Sequence, residues 1–143
     1  MSSVLRISEA ATIGFHALVI FASSGGRHHS TREVAESLEV SEWHLSKVLQ
    51  RLARAGIIRS VRGPGGGYML SRKSSGVTLL DILEAIDGPF DPEDCLMHSP
   101  RCKSSECILG DLLADVNRKV RIFLEEKSLA DFEDSEFARE ERK

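Results

Sequence analysis

The stretch "VSEWHLSKVLQRLARAGIIRSVRGPGGGYML", residues 40–70, changes periodicity halfway along, and that change decides the fold. In its first half Leu45, Val48, Leu49, Leu52 and Ala55 recur at helical spacing, with Ser41 placed to cap the helix and Gly56 to close it. Its second half has two extended pieces on either side of a Gly/Pro turn, the pattern of a hairpin. Just upstream, "STREVAESLEV" (residues 30–40) is a second, shorter helix, capped by Ser30 or Thr31 with Glu33 completing a capping box. Two short helices across a tight junction, followed directly by a hairpin, make a winged helix-turn-helix. The expected fold is mainly α with a small β-hairpin wing, plus a long further helix described below.

Outward from this centre, "ISEAATIGFHALVIFAS" (residues 7–23) is a helix with Ser8 as N-cap and Glu9 just inside. "SGGRHH" (residues 24–29) is a turn whose two histidines are expected to face solvent. "TLLDILEAI" (residues 78–86) is a helix capped by Thr78 with Asp81 three residues on. Asp87 to Ser105 is an irregular loop with three prolines, and a long amphipathic helix is expected from about Cys107 to Lys127. It carries Ile108, Leu109, Leu112, Leu113, Val116, Val120, Phe123 and Leu124 on one side. The charge-rich remainder is expected to be partly disordered. The resulting division is a winged-helix domain over 1–86, a cysteine loop over 87–106, a helix over 107–127 and a charged tail over 128–143.

Charge separates the two halves. Residues 1–73 hold ten Lys or Arg against five acids, and residues 74–143 hold nine against seventeen, which gives +5 and −8 and accounts for the net −3. A basic front half on an acidic chain points to a polyanion-binding face and a separate assembly or partner module. Within the helix of residues 42–54, His44, Lys47, Arg51 and Arg54 fall opposite the apolar positions, flanked by Trp43, Ser46 and Gln50. From Glu42 to Lys73 there are seven basic residues and one acid, whereas a merely solvated face mixes signs. Lys and Arg there would neutralise phosphates, and His44, Ser46 and Gln50 carry groups able to reach base edges in a major groove. Trp43 suits packing on a neighbouring helix as well as contact with DNA. "RGPGGGY" (residues 62–68) lacks the Lys of a nucleotide-binding loop and has Tyr68 where a dinucleotide fingerprint needs Gly. As a wing tip it makes sense: Gly65 to Gly67 permit positive φ and close approach to a phosphate, and Arg62 can enter a minor groove.

No apolar run approaches the ~20 residues of a membrane span, and the run from Phe15 to Ala22 lacks a basic leader and cleavage site. A reducing, cytoplasmic setting is expected, and the odd count of three cysteines speaks against a disulfide framework. No catalytic arrangement of nucleophile and base appears, so an enzyme finds no support. Cys95, Cys102 and Cys107, spaced C-x6-C-x4-C, lack the close pairs of a structural zinc site.

The 40–70 stretch, "TLLDILEAIDGP" (residues 78–89) and the three-cysteine loop together closely resemble the bacterial IscR/NsrR/CymR family of transcription regulators, over about residues 1–130. The resemblance implies a homodimer in which the long helix pairs across a two-fold axis and two winged helices read an inverted repeat in double-stranded DNA, as a repressor or activator. It places the groove-reading helix on Ser41 to Arg54 and the wing motif on Arg62, Gly63, Pro64 and Gly65. Relatives resembling the iron–sulfur biogenesis regulator carry an acid at the place of Ser46; the wording "HLSKV" is closer to the nitric-oxide-sensing branch. Widely spaced thiols in a loop suit an iron–sulfur cluster, of the 2Fe–2S or 4Fe–4S type. The resemblance assigns Cys95, Cys102 and Cys107 to it, though the middle cysteine stands one residue from its place in the cluster-binding members. The biogenesis branch has a His at the place of Gly110; the nitric-oxide branch uses a carboxylate whose place falls on Glu9. His98, inside the loop, competes with Glu9 as fourth ligand. Glu9 equally suits the positive end of its own helix. Redox state, nitric oxide or iron status would then be the signal. The alternatives are plain thiols in a regulator of the same fold controlled by a protein partner or a small ligand.

Overall fold

The computed structural model describes Leu5, residues 7–92, Cys95 and residues 106–141. Helix α1 runs from Glu9 to Ala22, α2 from Thr31 to Leu38 and α3 from Glu42 to Arg54. Strands β1 (Ile58–Val61) and β2 (Gly67–Leu70) form an antiparallel hairpin in which Ile58 faces Leu70 and Val61 faces Gly67. Helix α4 (Leu79–Asp87), helix α5 (Leu112–Glu126), a 3-10 turn at Leu129–Phe132 and a short α6 (Glu136–Glu141) complete the chain.

Local chemistry sets these boundaries. Ser8, Ser30, Ser41 and Thr78 each stand at an N-cap with the side-chain oxygen accepting a backbone N–H of the first turn. Glu33 and Asp81 close reciprocal capping boxes. The core lies between α1, α3 and α4, where Ala17, Leu18, Leu45, Leu49, Leu52, Ile82 and Leu83 are almost wholly buried. Each such leucine or isoleucine contributes about 1.5–3 kcal/mol by leaving water. Gly14 lets α1 approach α4 closely: a Cβ there would lie 2.3 Å from Ile86 Cδ1. Among the described residues, no helix is long and apolar enough to cross a membrane.

Three expectations change. Helix α5 begins at Leu112, not Cys107; residues 108–111 form turns, with Gly110 at φ 56° and its N–H bonded to the Cys107 carbonyl (2.9 Å). A glycine in that left-handed conformation interrupts the helical path that the apolar spacing suggested. The charged tail is folded as far as Glu141. Leu129 and Ala138 are fully buried, the Leu129 N–H donates to the Val77 carbonyl (3.0 Å) and Leu79 N–H to the Lys127 carbonyl (2.9 Å). Glu133 accepts from Ser23 Oγ through its carbonyl (3.2 Å) and from Ser74 Oγ through its carboxylate. A few apolar anchors amid many charges are enough to dock this segment on α1 and α4. Finally, His29 is buried and His28 half-buried, because their segment packs on the wing rather than projecting into solvent.

Candidate nucleic-acid interface

Helix α3 buries Leu45, Val48, Leu49 and Leu52, and a residue's distance from that stripe fixes how far it projects. The centre of the outward face is Trp43, Lys47, Gln50 and Arg54, all exposed, with Trp43 at 73%. The sequence-based stripe of His44, Lys47, Arg51 and Arg54 shares Lys47 and Arg54 with this face and is otherwise offset toward α4, by about a seventh of a turn at ~100° per residue. His44 is half-buried, and Arg51 donates Nη1–H to the Ile86 carbonyl at the end of α4 (3.0 Å), which ties α3 to α4. Lys47 Nζ stands 5.5 Å from the Trp43 ring centroid, and Gln50 Nε2 donates to Ser46 Oγ (3.4 Å). Trp43 thus forms an exposed platform with Lys47 beside it. The N-cap Ser41 accepts from the His44 N–H (2.9 Å), which occupies its hydroxyl oxygen with the helix end.

The wing stands beside this face. Arg62, Gly63, Pro64 and Gly65 are exposed at its tip, and Arg59 on β1 is exposed too. Arg59 was counted in the basic excess but not singled out; its place one residue after the inward-facing Ile58 is the signal that could have found it. The glycines divide by role. Gly63 and Gly65 take positive φ (106° and 72°), as the turn needs. Gly66 and Gly67 instead make room within the protein: a Cβ at 66 would lie 2.3 Å from the Val61 carbonyl oxygen, and one at 67 only 1.9 Å from that of His29. Close approach to a phosphate is not what Gly67 serves.

That His29 backbone pairs with β2 as a third extended piece: its N–H donates to the Tyr68 carbonyl (2.9 Å) and its carbonyl accepts from the Tyr68 N–H (2.8 Å). The ring lies against Phe21, with Nε2 2.5 Å from Ser24 Oγ, and Nδ1 3.2 Å from Arg27 Nη2 and 3.7 Å from Glu33 Oε2. Ser24 Oγ donates onward to the Ile20 carbonyl (2.5 Å), so His29 is the neutral tautomer with hydrogen on Nε2, and Nδ1 accepts from Arg27. Burial first, and the Arg27 guanidinium second, push its pKa below the ordinary 6.5, while Glu33 pulls the other way and His28 adds a small downward push. The unfolded chain therefore takes up this proton before the folded one does. Stability from this site is intact above pH 6.5, begins to fall as pH drops through that value, and is fully lost below the lowered folded value. We expect the melting temperature of the native chain to fall more steeply than that of His29→Gln between about pH 7.5 and pH 5. Parallel curves would contradict this.

The cysteine loop joins α4 to α5 in the chain. At its start, Glu84 Oε2 accepts the Phe90 N–H (2.8 Å), Arg121 Nη2 donates to the Phe90 carbonyl (2.6 Å), and the Arg121 guanidinium lies 5.1 Å from the Phe90 ring. Cys95 and Cys107 are exposed. Cys102 and His98 lie outside the described residues, and Glu9 is exposed on the first turn of α1. Among the described residues no three His, Cys, Asp or Glu side chains gather as a metal site, and the three-thiol set is not among them.

A helix-turn-helix with an exposed basic second helix and a basic wing defines a DNA-binding module. Residues 7–135 match the Rrf2 family, described as "Iron-dependent Transcriptional regulator", and the chain belongs to that family. It is 40% identical over 79 residues to BadM, an HTH-type transcriptional regulator of Rhodopseudomonas palustris, covering 55% of this chain and 51% of BadM. It thus spans about half the length of that relative. The structure of CymR, the global cysteine regulator of B. subtilis, superposes with a TM-score of 0.74 at 26% identity, over 90% of this chain and 96% of CymR. That of T. potens IscR does so with a TM-score of 0.70 at 25% identity, over 94% and 91%. These relatives are named as regulators of transcription, and this chain carries the winged-helix, DNA-binding module of their family.

Proposed function

We propose that this regulator works as a homodimer that reads an inverted repeat, under the control of an iron–sulfur cluster held by the Cys95–Cys107 loop. Trp43, Ser46, Lys47, Gln50 and Arg54 would meet the major groove from α3, with His44 and Arg51 at its α4 edge and Ser41 at its entry. Arg62, with Gly63, Pro64 and Gly65 shaping the turn, would reach the adjacent minor groove.

Dimerisation is supported by what α5 leaves uncovered. Of its apolar residues only Leu124 is buried, while Leu112, Ile122 and Phe123 are 55%, 44% and 51% exposed. An apolar cleft of about 410 Å³, lined by Leu5, Ile7, Phe15, Val120 and Phe123 among others, runs alongside it. An uncovered apolar helix face beside an apolar cleft suits an interface. A second copy fits the isologous geometry that an inverted repeat requires.

The observation that carries the control reading is the placement of two exposed thiols in one loop whose first residues are fastened to both working parts. Arg51 of α3 holds the end of α4 where the loop departs, and Arg121 of α5 holds Phe90. Soft, exposed thiolates fit an iron–sulfur cluster, with Cys102 as third thiol and Glu9 or His98 as fourth ligand. Such a group supplies a redox-sensitive and nitric-oxide-sensitive centre when bound. A change in the loop would reach α3 through Ile86 and the dimer helix through Phe90. The setting would be cytoplasmic, with DNA and a second copy as partners and the physiological signal among redox state, nitric oxide and iron. In this division residues 1–86 read DNA, 87–106 sense, 107–127 pair and 128–143 brace.

The test is the visible absorption spectrum, with iron and acid-labile sulfide content, of protein purified without oxygen. A brown, iron- and sulfide-bearing protein that loses colour in Cys95→Ala and Cys107→Ala supports the reading. A colourless protein that also resists reconstitution overturns it, and favours the cluster-free alternative of a protein partner or small ligand.

A further inference from the structure

The segment between α1 and α2 grips the wing twice. Along the strand, the backbone of His29 exchanges two hydrogen bonds with Tyr68 of β2, packed so closely that residue 67 has room for no side chain. At the tip, His28 Nε2 lies 2.6 Å from the Gly65 carbonyl oxygen and donates to it. The next residue, Ser30, caps α2, the first helix of the helix-turn-helix. One run of three residues therefore connects the wing tip, strand β2 and the helix-turn-helix. A two-stranded hairpin alone is floppy in water, so its angle to α3 must come from such outside contacts.

We propose that His28 is a positioning residue for DNA binding: its hydrogen bond to Gly65 holds the wing tip at the angle that presents Arg62 to DNA together with α3. The bond is lost without any loss of core packing, since His28 is only half-buried and Gly65 is exposed. Its effect is on where the tip points, not on whether the domain folds. The proposal rests on the reading of Arg62 as a wing contact, and the experiment separates the two.

Binding to a random-sequence duplex of about 30 base pairs, three helical turns, is followed by fluorescence anisotropy across a salt series. The proteins are the native chain, His28→Ala, His28→Gln, Arg62→Ala and the His28→Ala/Arg62→Ala pair. We expect His28→Ala to weaken binding about 2- to 10-fold, the worth of one neutral hydrogen bond, and to lower the salt slope by about 1. A purely structural role would leave that slope unchanged. In the Arg62→Ala background the His28 effect should vanish, and His28→Gln, which keeps a donor, should recover most of the affinity. If Arg62→Ala weakens binding but His28→Ala does not, or if the two effects simply add, the positioning proposal is overturned while the Arg62 reading stands. If Arg62→Ala itself has no effect, the Arg62 reading falls, and the proposal with it. Should His28→Ala lower the melting temperature markedly, His28→Gln decides: native affinity and slope support the proposal, and alanine-like values overturn it.

Discussion

The pair Leu112→Glu and Phe123→Glu is expected to turn the protein from a dimer into a folded monomer and to weaken binding to an inverted-repeat duplex by roughly 10²- to 10⁴-fold. Both side chains are about half exposed, so charging them removes little from the protein's own core. They lie eleven residues apart on α5, three helical turns on one face, with Val116 and Val120 between them. In a two-fold interface each substitution acts twice, and four buried glutamates would oppose one another across a low-dielectric seam. The loss on DNA exceeds any single contact because the second half-site is no longer held at high effective concentration by the first. Sedimentation and duplex titration check this together. A variant that stays dimeric, or a monomer that binds the repeat as tightly as the native chain, would contradict the assignment of α5 as the pairing helix.

Leu129→Ala should destabilise the protein by about 2–5 kcal/mol, although it lies in the segment whose composition suggests disorder. Leu129 is completely buried, and its N–H closes a bridge to Val77 beside the cap of α4. Truncating it leaves a cavity under a segment that fixes both the start of α4 and, through Glu133, the end of α1. Denaturant unfolding measures the effect; a change below about 0.5 kcal/mol, the range of ordinary surface substitutions, would mean that the segment is not docked as described.

What was legible in the sequence was local. The serines and Thr78 announce their helices because an N-cap oxygen acts within four residues, and "GPGGG" announces a turn for the same reason. The folded tail was legible in part: Ser128 and Asp131 form a capping box, the same signature that marks α2 and α4, but the surrounding charges masked Leu129 and Phe132. The outward face of α3 was found with a rotational error, because spacing shows which residues share a stripe but not which stripe lies opposite the packed one; Arg51 is drawn aside by a carbonyl from α4 thirty-five residues away. His28 and His29 carry no local signal at all. Their partners, Gly65 and Tyr68, are brought to them only by the tertiary fold, and Gly67 is small because of a neighbour distant in sequence.

The central claim is that two copies of the α3-and-wing face read DNA sequence together. It is tested most directly by selecting bound duplexes from a random-sequence pool with the native chain and sequencing them. The account predicts enrichment of an inverted repeat whose half-site centres lie about 10 base pairs, or a multiple of that, apart, with specificity relaxed in the groove-facing bases for Gln50→Ala. Enrichment of a single unrepeated site, or of none, would contradict it.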